Sequence, residues 1–328
     1  MKKISFILSF LFLNISFGQV TYREKTSLLG SPFEITVVAN DSLEGKKYCE
    51  SAINEVKRIE HLISDWIPTT QISQVNQKAG LEPVKVDTEV FNLVERAIKI
   101  SKLTEGAFDI SYASMDKIWK FDGSMTQMPT PEAIKKSVEK VGYQNIILNP
   151  QEKTIFLKNK GMKLGLGGIG QGYIADKVKE LLIKQGCKAG LVNVSGDINT
   201  WGTQTNGNPW NVALVNPLNK SKVFATFPLY DSAVETSGSY EKYVVFNGIR
   251  YSHIINPKTG YPASGIVSVS VFAKQTELAD ALATAIFVMG IEVGLDLINQ
   301  LKGIGCIIID DKGSIHTSKN IDIKKFKN

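Results

Sequence analysis

Phe33, Ile35 and Val37 alternate with small or polar neighbours, the period of a half-buried strand. Ala52, Ile53, Val56, Ile59 and Ile63 then recur at helical spacing and predict a helix over about residues 42–63. Asp87 or Thr88 caps a second helix, which carries Val90, Phe91, Val94, Ala97 and Ile98 and ends before Gly106. Thr130-Pro131-Glu132 opens a third, with proline at the first helical position and Gly142 as its stop. Asn145–Leu148 and Thr154–Leu157 read as a hairpin around Asn149-Pro150. A short strand, a glycine-rich turn and a helix over about 171–185 follow. Strands are predicted at Leu191–Val194, Val212–Val215, Val223–Phe227, Tyr243–Phe246 and Val267–Phe272, with Asn247-Gly248 as a hairpin turn. Helices over about 277–289 and 291–301 and an apolar strand at Cys306–Ile309 close the pattern.

Strands and helices interleave without a regular βαβ alternation, which predicts an α+β fold or a mixed sheet rather than a doubly wound one. No linker-like stretch divides residues 19–328, so they are read as one compact unit. The start is different. Lys2 and Lys3 precede an apolar run from Ile4 to Ile15, and Ser16-Phe17-Gly18 supplies the small residues of a cleavage site before Gln19. Residues 1–18 therefore read as a secretory signal peptide, and the mature chain as an exported soluble protein.

Charge changes this picture little. The formal net charge is +6, and residues 1–18 contribute two lysines and no acid to it. Residues 311–328 carry five lysines against two aspartates. A basic tail on a nearly neutral body is a solvated terminus, not a nucleic-acid footprint. Cys49 and Cys187 fall on predicted helices, Cys306 begins a strand, and no CxxC is present, so all three are read as buried small hydrophobes.

Three segments could carry chemistry. Gly165-Leu166-Gly167-Gly168-Ile169-Gly170-Gln171-Gly172 enters a helix, where bare backbone N–H groups and the helix dipole suit a phosphate. It also spells GxGxxG, but no acid follows about twenty residues on, as a dinucleotide-binding unit requires. Asp280 and Thr284 lie one helical turn apart with small alanines between them, and could present two oxygens to a hard cation such as Mg²⁺. His253 lies between a strand and the Asn256-Pro257 turn, and a neutral imidazole there could take a proton from an attacking hydroxyl. Ser64-Asp65-Trp66 and Gly106-Ala107-Phe108-Asp109 add rings on which a planar ligand could stack.

Together these segments resemble the ApbE family of FAD:protein FMN transferases. The matching blocks occur in the family's order: Leu29-Gly30-Ser31-Pro32-Phe33, Ile63-Ser64-Asp65-Trp66 with Ile72 and Asn76, Gly106 to Asp109, Leu166 to Tyr173 with Asp176, Ser195-Gly196-Asp197-Ile198, Thr236 to Tyr240, Ser252 to Pro262 and Ala279 to Ala285. The resemblance implies a T-fold-like α+β architecture of mixed sheets packed with helices. It implies Mg²⁺-dependent transfer of FMN from FAD to a threonine hydroxyl of an acceptor flavoprotein, with release of AMP. Asp280, Thr284 and the Gly168 carbonyl would hold the metal. Leu29, Trp66, Ala107, Phe108, Asp109, Gln171 and Ile255 would line FAD, and His253 would be the base or positioning group. No nucleic acid is expected as partner, and contact with a membrane only through the acceptor's complex, on the periplasmic side. Four positions depart from the family pattern. Gly165 replaces a frequent aspartate, Gln171 the common lysine or glutamate, Asn256 the aspartate of Ile-Asp-Pro, and Ala283 a second aspartate, so fewer charges are expected at the metal. The same FAD and metal sites would also serve an FAD pyrophosphatase yielding FMN and AMP. A non-catalytic flavin-binding protein and a Rossmann oxidoreductase are the other readings.

Overall fold

The computed structural model describes residues 18–322 apart from 218, 240 and 241. Residues 1–17 of the predicted signal, Tyr240 and the terminal lysines 324, 325 and 327 lie outside the described residues. The chain runs β1 (Val20–Leu28), β2 (Ser31–Ala39), α1 (Ser42–Ile63), α2 (Gln71–Gln77), β3 (Val84–Lys85), α3 (Thr88–Leu103), α4 (Pro131–Ser137), β4 (Ile146–Asn149) and β5 (Thr154–Leu157). It continues through α5 (Gly170–Lys184), β6 (Ala189–Val194), β7 (Asp197–Trp201), β8 (Trp210–Asn216), β9 (Asn219–Leu229), β10 (Ala233–Gly238), β11 (Tyr243–Phe246) and β12 (Ile249–Ser252). It ends with β13 (Ile266–Ala273), α6 (Thr276–Met289), α7 (Ile291–Gln300), β14 (Gly305–Asp310) and β15 (Ile315–Thr317).

Eight strands form one sheet in the order β1-β2-β6-β7-β10-β13-β14-β15, and each neighbouring pair is antiparallel. The α+β expectation holds, and the GxGxxG stretch opens no parallel βαβ unit. Ile35 and Val37 of β2 and Val192 of β6 pack into one core with Val56 and Ile59 of α1 and Val178 and Leu182 of α5. Val269 and Val271 of β13 join Ala279, Leu282, Ala283 and Ile286 of α6 in a second. The opposite face is closed by the β8–β9 hairpin, whose Val212, Leu214 and Phe227 pack on Val234 and Ile307. The central strands are thus covered on both sides, so β13 reads as nearly continuous buried sequence.

Several elements differ from the sequence pattern, each for a local reason. β1 is an edge strand whose inward residues Val20, Tyr22 and Leu28 are only partly buried, and charged residues interrupt their alternation. Arg23 and Lys25 instead pair with Glu34 of β2. The strand expected before the glycine-rich turn is absent. Asn76 takes both polar groups of Leu164, Ser114 does so for Lys163, and Gly165 N–H donates to the Ile110 carbonyl, leaving no ladder to form. The predicted strands also omit β10, a central strand that ends at Ser237-Gly238. α4 stops at Ser137, before Gly142. Cys187 lies in the connection after α5 rather than on the helix, and Cys49, Cys187 and Cys306 are buried free thiols. Asn247-Gly248, both with positive φ, make the expected two-residue hairpin turn.

Two glycine-dependent features fix the site end of the sheet. The turns Leu29-Gly30 and Ser195-Gly196 all have positive φ, and Ser195 N–H donates to the Pro32 carbonyl at 2.9 Å, so the two hairpins meet. At Gly172 a Cβ would lie 2.5 Å from the Thr276 carbonyl oxygen and 2.9 Å from the Glu277 nitrogen. Only glycine lets α5 approach the start of α6 this closely. Gly172→Ala should therefore part the two helices and destabilise the fold by about 1–3 kcal/mol, read as a lower urea midpoint. An unchanged midpoint would contradict this packing.

Candidate active site

α6 carries two of the expected metal ligands, and a neighbour sets its start. Gln275, at the cap position, makes no side-chain cap bond. Asp176 of α5 supplies one instead, accepting from the N–H groups of Thr276 (2.8 Å) and Glu277 (3.0 Å) and from the Asn199 amide (2.6 Å). A carboxylate at a helix N-terminus satisfies orphan donors and favours the dipole. Arg96 of α3 holds Glu277 with two bonds at 2.6 and 2.9 Å. One turn further on, Asp280 comes to rest 4% exposed, with Oδ2 accepting from Gly172 N–H at 3.2 Å.

Asp280 faces a cleft of about 520 Å³, within the ordinary range for small-molecule sites. The wall includes Ala107, Phe108, Asp109, Gly168, Gln171, His253, Ile255 and Thr284, all singled out in the sequence, so distant segments converge as expected. A Cβ on Gly168 would lie 3.0 Å from Thr284 Oγ1, so the bare backbone of the glycine loop comes close to that hydroxyl. Both oxygens of Asp109 are committed, to Ser111 N–H and Oγ and to Tyr143 N–H, and they shape the loop behind the wall. Asn256 holds its turn as expected, its Oδ1 accepting from Lys258 and Thr259 N–H. His253 is exposed on the wall, with Nδ1 3.3 Å from the Lys242 carbonyl oxygen and its ring edge-on to Phe121.

Leu29 and Trp66 are not on that wall. Leu29 sits in the β1–β2 turn at the same end of the sheet. Trp66 is 80% exposed, with the ammonium of Lys117, a wall residue, 5.0 Å from its ring centre. At Gly165 a side chain would meet the Ala113 Cβ at 2.9 Å and the Tyr112 hydroxyl at 3.2 Å. Tyr112 and Ala113 thus fill the space beside this glycine.

Two carboxylates that the sequence did not connect with Asp280 lie beside it. Asp197, at the start of β7, and Glu235, in β10, meet Asp280, and one carboxylate oxygen from each lies within 4.8 Å of the others. The register pairs Ala233 with Asn199 and Val234 with Ile198, and Glu235 and Asp197 are the next residues of the two strands. Asp197 Oδ1 and Glu235 Oε2 are buried without a hydrogen-bond partner. Three buried carboxylates, two of them with an orphaned oxygen, in one cleft with the Thr284 hydroxyl, are a hard oxygen donor set that fits a divalent cation. Sequence reading gave neither residue a role. Glu235 carried no local signal, and only the cross-strand register joins it to Asp197.

Burial pushes the Asp280 carboxyl up to about 8, with Glu277 and Asp176 adding repulsion against the lowering effect of the Gly172 N–H. Burial, then repulsion from Asp280, also raises Asp197 and Glu235 well above the carboxylate range.

The ApbE family model matches residues 29–308, and the chain belongs to that family. A protein named FAD:protein FMN transferase from Treponema pallidum is 30% identical over 287 residues, 83% of this chain and 79% of that protein. One of the same name from Escherichia coli K12 is 28% identical over 94% of this chain and 89% of its own. Among solved structures, the ApbE protein of Thermotoga maritima matches with a TM-score of 0.84 at 29% identity, covering 94% of this chain and all of that one. Flavin transferase ApbE from Vibrio cholerae matches at 0.82 and 26%, covering 94% and 99%.

The raised carboxyl pKa values fix a pH dependence. Between the ordinary aspartate value and about 8 the folded state binds more protons than the unfolded one, so stability falls as pH rises. The metal-free chain should melt at its highest temperature near pH 5 and progressively lower toward pH 8, with added divalent cation flattening the decline. A melting temperature that rises over this range without metal would contradict the assignment.

Proposed function

We propose that this chain is an Mg²⁺-dependent FAD:protein FMN transferase, joining FMN through a phosphoester to a threonine hydroxyl of an acceptor flavoprotein and releasing AMP. The observation that carries the reading is the convergence, in one cleft, of the glycine loop, the Asp280–Thr284 pair and His253. Family membership supports the same chemistry.

In this reading Ala107, Phe108, Asp109, Gln171 and Ile255 form the wall against FAD, with Leu29 and Trp66 reaching in from the rim. The Gly167-Gly168 backbone admits a phosphate chain closely because no side chain intervenes. Asp280, Thr284 and the Gly168 carbonyl hold Mg²⁺. When bound, the ion supplies positive charge that neutralises the pyrophosphate and the departing AMP. His253 accepts the threonine proton as the hydroxyl oxygen bonds to the FMN-side phosphorus and the P–O bond to AMP breaks. The chain's tasks are positioning and charge placement, which dominate phosphoryl transfer.

Export belongs to the same proposal. The first described strand begins at Val20, so removal of residues 1–18 spares every described element. Among the described residues no helix is long and apolar enough to cross a membrane. The acceptor, in this reading, is a flavin-carrying subunit met at the periplasmic side of its complex.

The test is an intact mass spectrum of a threonine-bearing acceptor domain incubated with the chain, FAD and Mg²⁺. An FMN-sized gain that requires metal, with AMP released, is expected. AMP and free FMN beside an unmodified acceptor would favour FAD hydrolysis, and FAD binding without AMP would favour a flavin carrier. Asp280→Ala should abolish transfer, and full transfer by that variant would overturn the metal assignment. His253→Ala should lower the transfer rate by about 10²-fold or more while FAD affinity stays near wild type; an unaltered rate would remove His253 from the mechanism.

A further inference from the structure

The Asp280–Thr284 pair and the Gly168 carbonyl account for a cation held together with substrate. They leave Asp197 and Glu235 without a task. Both are almost fully enclosed, at 4% and 6% exposure, and both lie on the cleft wall. Glu235 Oε1 accepts from the Ser237 hydroxyl at 3.1 Å, but Glu235 Oε2 and Asp197 Oδ1 accept from nothing. A buried carboxylate oxygen without a donor costs several kcal/mol in general, and two on residues gathered with a third carboxylate cost more. No lysine or arginine lies among the groups that line this part of the cleft except Lys117. That ammonium is placed over the Trp66 ring.

We infer that Asp197 and Glu235 join Asp280 in a buried seat for one divalent cation, and that this seat fills in the absence of FAD. The inference rests on the proposed function for what the cation later serves. The seat itself rests on the geometry of the three carboxylates. An oxygen-only set with three negative charges suits a hard ion, and needs no phosphate to complete its charge. β7, β10 and α6 each contribute one ligand, so the site is built from rigid elements before any ligand arrives. FAD would then meet a cleft that already holds its cation, whereas a site of one carboxylate and one hydroxyl would take up metal and FAD together.

The test uses the purified FAD-free chain and Mn²⁺ alone, titrated at pH 7.5 and followed by the electron paramagnetic resonance of free Mn²⁺. One ion per chain should bind. Glu235→Gln and Asp197→Asn, which keep side-chain size and remove a buried charge, should each weaken binding at least tenfold. Both should also lose the rise in melting temperature that Mn²⁺ gives the wild-type chain. Glu292→Gln, on exposed α7 surface, should bind as wild type. A wild-type chain that takes up no Mn²⁺ without FAD overturns the inference, as do Glu235→Gln and Asp197→Asn variants of unchanged affinity. Metal-dependent FMN transfer by a chain that fails this titration would leave the proposed function standing and remove the seat. Mn²⁺ uptake through Glu235 by a chain that transfers no FMN would keep the seat and remove the function.

Discussion

The carboxylate of Asp176 decides where α6 begins, and with it where Asp280 lies. Its two bonds to the Thr276 and Glu277 N–H groups cap α6 from a neighbouring helix, and the Asn199 amide ties the same carboxylate to β7. A cap of this kind contributes about 1 kcal/mol to stability, but its structural consequence is larger. It brings one helix start, one sheet strand and the glycine-loop helix to a common point. Gly172 allows the approach, since any side chain there would strike the α6 backbone. Asp280, one turn down, is then held by the Gly172 N–H and cannot swing away from the cleft.

That arrangement brings together groups that repel one another. Asp197, Glu235 and Asp280 sit on three different elements and would not collect without the surrounding packing. The apolar contacts of β13 with α6, and of Val234 beneath the β8–β9 hairpin, press the strands and helix together around them. Their oxygens must hold either protons or a cation, because three buried negative charges without a counter-charge are untenable. Stability is thus given up at the site and recovered in the cores on both faces of the sheet, the usual arrangement where function needs strained electrostatics.

Much of this was legible in the sequence. Helical spacing located α1 and α3, because each has one broad apolar face, while α6 is buried on nearly every side. The glycine loop, the Asp280–Thr284 pair and the His253 turn were visible because their chemistry is local. What sequence could not give was register. Glu235 and Asp197 are thirty-eight residues apart and meet only because β7 and β10 pair as they do. β1 was hidden for a different reason: only Val20, Tyr22 and Leu28 of this edge strand pack on the core, and the charged residues between them pair with Glu34 and blur the alternation. The segment before the glycine loop misled in the opposite direction, since its apolar residues are buried but its backbone is satisfied by Asn76 and Ser114.

The central claim is that one cleft, anchored by the Asp176-capped start of α6, seats both a divalent cation and the pyrophosphate of FAD. A crystal structure of the chain with FAD and Mn²⁺, phased to show the manganese anomalous signal, tests it most directly. The expected result is a manganese peak bonded to Asp280, with the flavin's phosphates beside the Gly167-Gly168 backbone. A manganese peak away from Asp280, or FAD bound outside this cleft, would contradict the account.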